Sequence, residues 1–126
     1  MLKRCGFIKK GDDNMIIDFS KMQEQKFEHF KGGQGELAAK IFSDGKNKFL
    51  LAKLEPGSTV GVHMHKMNSE IIYIVDGVAT VKYDNGPDEI VKQGEIHYCP
   101  QDHTHSVCNE STKTLTFFAV VPEHHQ

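Results

Sequence analysis

The sequence predicts an all-β domain, a sandwich or a barrel built from about nine short strands. Beyond Gly35, the apolar residues come in short segments, and strong helical periodicity is absent. Turn pairs separate these segments, among them Asp44-Gly45, Pro56-Gly57 and Asp76-Gly77. The chain has 126 residues, which corresponds to one domain of ordinary size.

The predicted strands follow one another in chain order, each bounded by a turn signal. Asp76-Gly77 is a two-residue hairpin signal, and the run from Asp84 to Pro87 is a further turn. The strands are Glu36–Phe42, Lys48–Leu54, Thr59–His65, Glu70–Val75, Val78–Tyr83, Glu89–Lys92, Glu95–Cys99, Thr104–Asn109 and Thr114–Val121.

The segment before these strands is charged and irregular. Ser20 and Gln23 match a capping box, which favours a short helix or turn at that point. We therefore predict three regions: an N-terminal lead-in over residues 1–35, the β domain over residues 36–122, and a C-terminal tail over residues 123–126.

Composition excludes several classes of protein. The 15 basic and 17 acidic residues give a net charge of −2, which is too balanced for a dedicated nucleic-acid binder. No apolar run approaches the roughly 18 residues that a membrane helix needs. Three cysteines, Cys5, Cys99 and Cys108, cannot all pair and do not have zinc-ribbon spacing. We expect reduced thiols in a cytoplasmic protein.

One group of residues has the spacing of a metal site. His63 and His65 lie two residues apart in a predicted strand, so their side chains point the same way. Glu70 opens the next strand, and His105 begins a later one. An isolated His-x-His pair also occurs by chance as ordinary strand residues. Three imidazoles and one carboxylate would form a mixed site for zinc, iron, nickel or copper, and the carboxylate also admits manganese.

The spacing around these residues resembles the two motifs of the cupin family. The first motif runs from Gly57 through the histidine pair and Glu70 to Gly77, and the second comprises Gly94, Pro100, His105 and Asn109. One position departs from the second motif, because Asp102 stands where cupins usually have glycine. If that turn needs a positive φ, aspartate is among the less costly replacements.

The resemblance implies a jelly-roll barrel, the double-stranded β-helix, over roughly residues 36–122. It implies that His63, His65, Glu70 and His105 hold one divalent metal ion, with zinc, iron, manganese and nickel as candidates. It also implies a homodimer, to which the segment 1–35 is available. Cupins include dioxygenases, isomerases, lyases and ligand-sensing modules, so the fold does not select an activity. We expect a metal-dependent enzyme of the dioxygenase, isomerase or lyase type that acts on a small polar metabolite. The alternative is a non-catalytic cupin module that binds or senses a small ligand.

A few further residues are candidates for proton transfer. His103 precedes His105 by two residues and is a candidate general acid or base, a fifth ligand, or an ordinary turn residue. Tyr73 and Tyr83 are candidate phenol donors, although strand tyrosines more often pack by their rings. In the strand Glu95–Cys99, either His97 and Cys99 or Tyr98 faces the interior, and the sequence leaves this open.

Overall fold

The protein folds as ten strands in two antiparallel sheets, as a computed structural model describes for residues 15–124. The strands are β1 (Gln25–Glu28), β2 (Glu36–Ser43), β3 (Asn47–Leu54), β4 (Thr59–Met64), β5 (Glu70–Asp76), β6 (Val78–Tyr83), β7 (Glu89–Lys92), β8 (Ile96–Cys99), β9 (Thr104–Cys108) and β10 (Leu115–Pro122). Within the described range, helix is confined to two short 3₁₀ segments, Phe19–Lys21 and Phe30–Gly32.

Six strands form one sheet in the order β1-β2-β3-β10-β5-β8, and four form the other in the order β4-β9-β6-β7. Strands distant in sequence therefore lie side by side, as when β10 inserts between β3 and β5. This arrangement is the all-β jelly roll, and it confirms the predicted fold class. Among the described residues, no helix is long and apolar enough to cross a membrane.

The core lies between the two sheets, because alternate side chains of each strand point inward. Along β10, every second residue from Leu115 to Val121 is buried. Leu54 and Ile74 from the larger sheet and Val81 and Val107 from the smaller sheet join the same apolar cluster. The alternation that predicted the strands thus also defines the face that each strand buries.

The N-terminal segment has a short 3₁₀ turn where a short helix or turn was predicted, but its cap differs and a strand follows it. Ser20 is not the cap of the first 3₁₀ segment; Asp18 is, and its carboxylate accepts a hydrogen bond from the Ser20 amide at 2.9 Å. Phe27 lies in β1, which pairs with β2 and extends the larger sheet. Pairing with an available sheet edge gives the backbone N–H and C=O groups of this segment hydrogen-bond partners. A short isolated helix would be only marginally stable in water.

The predicted turn residues adopt turn conformations. Gly57, Gly77 and Gly94 all have positive φ, at 85°, 94° and 87°. Asp102 has φ of 72°, so the turn does need the left-handed conformation and aspartate adopts it.

Two of the three predicted free thiols are described. Cys99 and Cys108 are both buried and unpaired. Cys5 lies outside the described residues.

Candidate metal centre

The metal-site residues come from both sheets and meet between them. His63 lies on β4, directly opposite His105 on β9, and His65 follows the end of β4. Glu70 opens β5 in the larger sheet. The jelly roll thus brings together side chains that are up to 42 residues apart in sequence.

The four side chains converge through one atom each. The Nε2 atom of His105 lies 3.0 Å from Nε2 of His65 and 3.2 Å from Nε2 of His63. The Glu70 Oε1 atom is 3.1 Å from Nε2 of both His65 and His105. All four ligand atoms lie within 4.8 Å of one another. Three imidazole nitrogens and one carboxylate oxygen aimed at one point fit a divalent first-row metal ion.

Two of the histidines are held in the tautomer that metal binding requires. The backbone carbonyl of Gly61 lies 2.7 Å from Nδ1 of His63 and can only accept a hydrogen bond. His65 Nδ1 faces the Asn68 amide oxygen at 2.6 Å. Each Nδ1 therefore carries a proton, so Nε2 is the ring nitrogen left available for a metal ion.

Glu123 orients the Asn68 side chain. The Asn68 amide nitrogen donates to the Glu123 carboxylate at 3.0 Å, which turns the amide oxygen toward His65. His124 is also held, because its Nε2 lies 2.9 Å from the Ser69 hydroxyl. Residues 123 and 124, predicted as tail, thus pack against the loop before Glu70. Sequence reasoning assigned no role to Asn68 or Glu123, because neither follows a recognisable ligand spacing.

The charges of the site favour a cation. Burial lowers the pKa of His63 to about 4, so this ring is neutral near pH 7. Burial would raise the pKa of Glu70, but hydrogen bonds from His105 and His65 outweigh it and hold that pKa at about 2. Burial would likewise lower the pKa of His65, but the bonds to Glu70 and Asn68 raise it instead. The negatively charged carboxylate of Glu70 thus lies among three imidazole nitrogens, a combination that attracts a metal cation.

Burial shows which side chains of β8 face the interior. His97 and Cys99 face the interior and are 4% and 0% exposed, while Tyr98 faces outward. Burial raises the pKa of Cys99 to about 12, so its thiol is neutral and is a poor metal ligand.

The three candidates for proton transfer, His103, Tyr73 and Tyr83, lie outside the four-residue cluster. His103 is 42% exposed, and its Nδ1 faces the Asp84 carboxylate at 2.8 Å and the Tyr83 hydroxyl at 3.1 Å. Its ring stacks on that of Tyr83. Tyr73 lies on the outer face of the larger sheet, opposite in direction to its buried neighbours Ile72 and Ile74. The hydroxyl of Tyr83 thus faces His103 rather than the four ligand atoms.

A cavity of about 200 Å³ opens beside the cluster. Its ionisable lining residues, apart from His63, His65 and Glu70, are Lys31, Lys48 and Lys66, all exposed at its mouth. The rest of the lining is apolar or neutral: Phe30, Leu50, Met64, Met67, Asn68 and Val121.

Comparison with protein families identifies the domain. The family model described as "Cupin domain" matches residues 50–121. An oxalate-binding protein from Thermotoga maritima is 31% identical in an alignment 118 residues long, which covers 89% of this chain and 97% of that protein.

Two solved structures are similar to this chain over most of its length. The crystal structure of a predicted oxalate decarboxylase from Thermotoga maritima matches with a TM-score of 0.80 and 30% identity, covering 86% of this chain and 99% of that one. An uncharacterized conserved protein with a double-stranded β-helix domain from Klebsiella pneumoniae has a TM-score of 0.69 and 17% identity, covering 90% and 93%. At that identity the second likeness concerns the fold alone.

Proposed function

The chain belongs to the cupin family, and from this premise we propose that it is a metal-binding protein whose site takes a small carboxylate such as oxalate. His63, His65, Glu70 and His105 would hold the ion. When bound, a divalent metal supplies a Lewis acid for ligand oxygens. The observation that carries the proposal is the convergence of these four ligand atoms beside a small cavity with a cationic mouth.

The mouth of the cavity favours an anion. Lys31, Lys48 and Lys66 place three positive charges around a space of about 200 Å³. A dianion of two or three carbon atoms suits this small space better than a bulky metabolite. One carboxylate would face the metal site, and the lysines would attract the anion electrostatically. The name of the Thermotoga maritima relative supports oxalate as the ligand to test first.

Binding, rather than turnover, is the function that the geometry supports best. Among the described residues lining the cavity, the ionisable side chains are proposed metal ligands and lysines of the mouth. The candidates for proton transfer, His103, Tyr73 and Tyr83, are not in this lining. The second candidate is an enzyme, a metal-dependent lyase, dioxygenase or isomerase. It draws support from the structure called a predicted oxalate decarboxylase.

We expect metal-loaded protein to bind oxalate, and the triple variant Lys31→Gln/Lys48→Gln/Lys66→Gln to bind it about tenfold more weakly. Each exposed charge pair contributes roughly 0.2–1 kcal/mol, and about 1.4 kcal/mol corresponds to a factor of ten. Isothermal titration calorimetry at low and high salt measures both the affinity and its screening.

A matched variant, Lys26→Gln/Lys53→Gln/Lys92→Gln, removes three exposed lysines that do not line the cavity and should bind like the wild type. Equal weakening by both triple variants would contradict a role for the mouth. The same mixtures are assayed for formate and carbon dioxide. Their metal-dependent formation from oxalate would replace the binding function with a lyase activity.

We also propose that the protein is a homodimer. The outer face of the larger sheet carries exposed apolar side chains, Tyr73 and Val75 on β5 and Ile96 and Tyr98 on β8. β8 is an edge strand, so this apolar patch reaches the border of the sheet, where a second copy can pack. Participation of segment 1–35 in the contact stays a prediction, since residues 1–14 lie outside the described range.

We expect Ile96→Glu/Tyr98→Glu to convert a dimer into a monomer, because two buried charges would lack partners in the interface. Light scattering coupled to gel filtration would show the molar mass falling from that of two chains to that of one. Ile90 on β7 is 55% exposed and lies in the other sheet, so Ile90→Glu is the control that should stay dimeric. A monomeric wild type would refute the proposal.

The buried, unpaired Cys99 and Cys108 support our proposal of a cytoplasmic location, where thiols stay reduced. Recovery of the protein outside the reducing compartment after cell fractionation would contradict it.

A further inference from the structure

His97 is a buried histidine that lies next to the four-residue cluster but is not one of its four ligands. It lies on β8 in the larger sheet, and its side chain is 3% exposed. Its Nε2 atom is 3.1 Å from Nδ1 of His105, and the two rings stack with centroids 5.2 Å apart. The fully buried His105 thus has its second nitrogen facing His97.

Metal binding requires one direction for this hydrogen bond. The Nε2 atom of His105 is the one that points into the cluster, so ligation leaves the proton on Nδ1. That Nδ1–H can then donate only if Nε2 of His97 is unprotonated. A neutral His97 must in turn carry its proton on Nδ1.

A carboxylate is in place for that second proton. The Nδ1 atom of His97 faces the Glu89 Oε1 atom at 3.6 Å. Glu89 opens β7 at the edge of the smaller sheet, and its side chain is 49% exposed. The three groups therefore run from the surface to the ligand cluster, and they join the two sheets.

We propose that His97 is a positioning residue that accepts a hydrogen bond from the Nδ1–H group of His105 and directs its own Nδ1–H group toward Glu89, so that Nε2 of His105 is held free for the metal. This inference rests on the proposed metal site. The other two histidines of the site show the same pattern. Nδ1 of His63 faces the carbonyl oxygen of Gly61, and Nδ1 of His65 faces the amide oxygen of Asn68, so each Nδ1 has a hydrogen-bond acceptor. An imidazole, unlike a carbonyl, can point either way, and Glu89 supplies the direction.

The direct test is nitrogen NMR of the zinc-loaded, ¹⁵N-labelled protein, because zinc is diamagnetic. We expect His97 in the Nδ1–H tautomer and a ¹⁵N–¹⁵N scalar coupling between its Nε2 and Nδ1 of His105 across the hydrogen bond. A core histidine with a merely structural role need not show either signature. His97 in the Nε2–H tautomer, or the absence of the coupling, would overturn the inference.

Zinc affinity gives the second readout, by competition with a chelator. His97→Phe keeps a ring but removes the acceptor, and we expect zinc to bind about 10–100-fold more weakly. His97→Gln retains an amide oxygen that can accept, so it should restore most of the affinity. Glu89→Ala should weaken binding less than His97→Phe. Asp88→Asn removes a neighbouring carboxylate that pairs with Lys82 instead, and it should bind zinc like the wild type.

The outcomes separate the two proposals. If the wild type binds no zinc, the metal site itself is wrong and this inference fails with it. If the wild type binds zinc but His97→Phe binds it equally well, the metal site stands and the positioning role is wrong. If His97→Phe does not fold, the NMR measurement on the wild type decides.

Discussion

Wild-type protein is expected to hold about one equivalent of a divalent metal ion, and the variant His63→Ala/His105→Ala to hold less than about a tenth of that. These two residues face each other on β4 and β9 and supply two of the four converging ligand atoms. The remaining pair, His65 and Glu70, would leave most of the coordination shell to water. The loss should therefore be close to complete rather than gradual.

Elemental mass spectrometry of untagged protein measures the metal content and also identifies the element. Iron would direct attention to oxygen chemistry, whereas zinc, manganese or nickel would direct it to binding, lyase and isomerase assays. Metal added at a hundredfold excess over the dissociation constant should stabilise the wild type by about 2.7 kcal/mol, and the double variant should not respond.

A histidine outside the cluster provides the control. His29 has φ of 52° and its ring bonds the Gly33 carbonyl, so His29→Asn keeps a residue suited to that conformation while removing an imidazole. This variant should retain about one equivalent of metal. A wild type without metal, even after reconstitution with each candidate ion, would exclude the metal site.

Gly61→Ala is expected to lower the free energy of unfolding by about 3 kcal/mol. A Cβ atom at this position would overlap the carbonyl oxygen of Lys31 and would lie 2.8 Å from the Gly33 amide nitrogen. Both are backbone atoms, so no side-chain rotation relieves the clash. The 3₁₀ segment Phe30–Gly32 packs against β4 here and would have to move.

The same substitution should weaken metal and oxalate binding. The Gly61 carbonyl orients His63, and the displaced segment carries Lys31 at the mouth of the cavity. Urea unfolding of the metal-free protein and chelator competition measure the two effects separately.

Gly86→Ala is the matched control, because its Cβ would meet only the Tyr83 carbonyl oxygen, at an ordinary 3.4 Å. It should change stability by less than about 0.5 kcal/mol. An unfolding midpoint of Gly61→Ala equal to that of Gly86→Ala would refute the predicted clash.

Local patterns were sufficient to predict nine of the ten strands in the described range. The apolar segments between turn signals correspond to β2 through β10, and their ends agree to within one or two residues. β1 was missed, because its four residues contain one apolar side chain, Phe27, and their strand conformation depends on pairing with β2. The capping-box pattern at Ser20 predicted a short helix or turn, and a 3₁₀ segment does lie there, but its cap is Asp18 rather than Ser20.

The sequence by itself determined the all-β fold and the set of residues that converge as a metal site. Strand alternation predicts that His63 and His65 share a face, and the resemblance of the spacing from Gly57 to Asn109 to the two cupin motifs implied that Glu70 and His105 join them. The alternation is a property of chain geometry over short distances, whereas the grouping of residues up to 42 positions apart rests on that resemblance.

Only the tertiary structure decided what surrounds those ligands. The orientation of His97, the link from Glu123 through Asn68 to His65, and the three lysines at one mouth all depend on contacts between distant segments. A two-residue strand period leaves two possible faces, and burial between the sheets selects one of them. Hydrogen bonds in the interior then set which nitrogen of each ring carries a proton, because the buried groups have little water to bond instead.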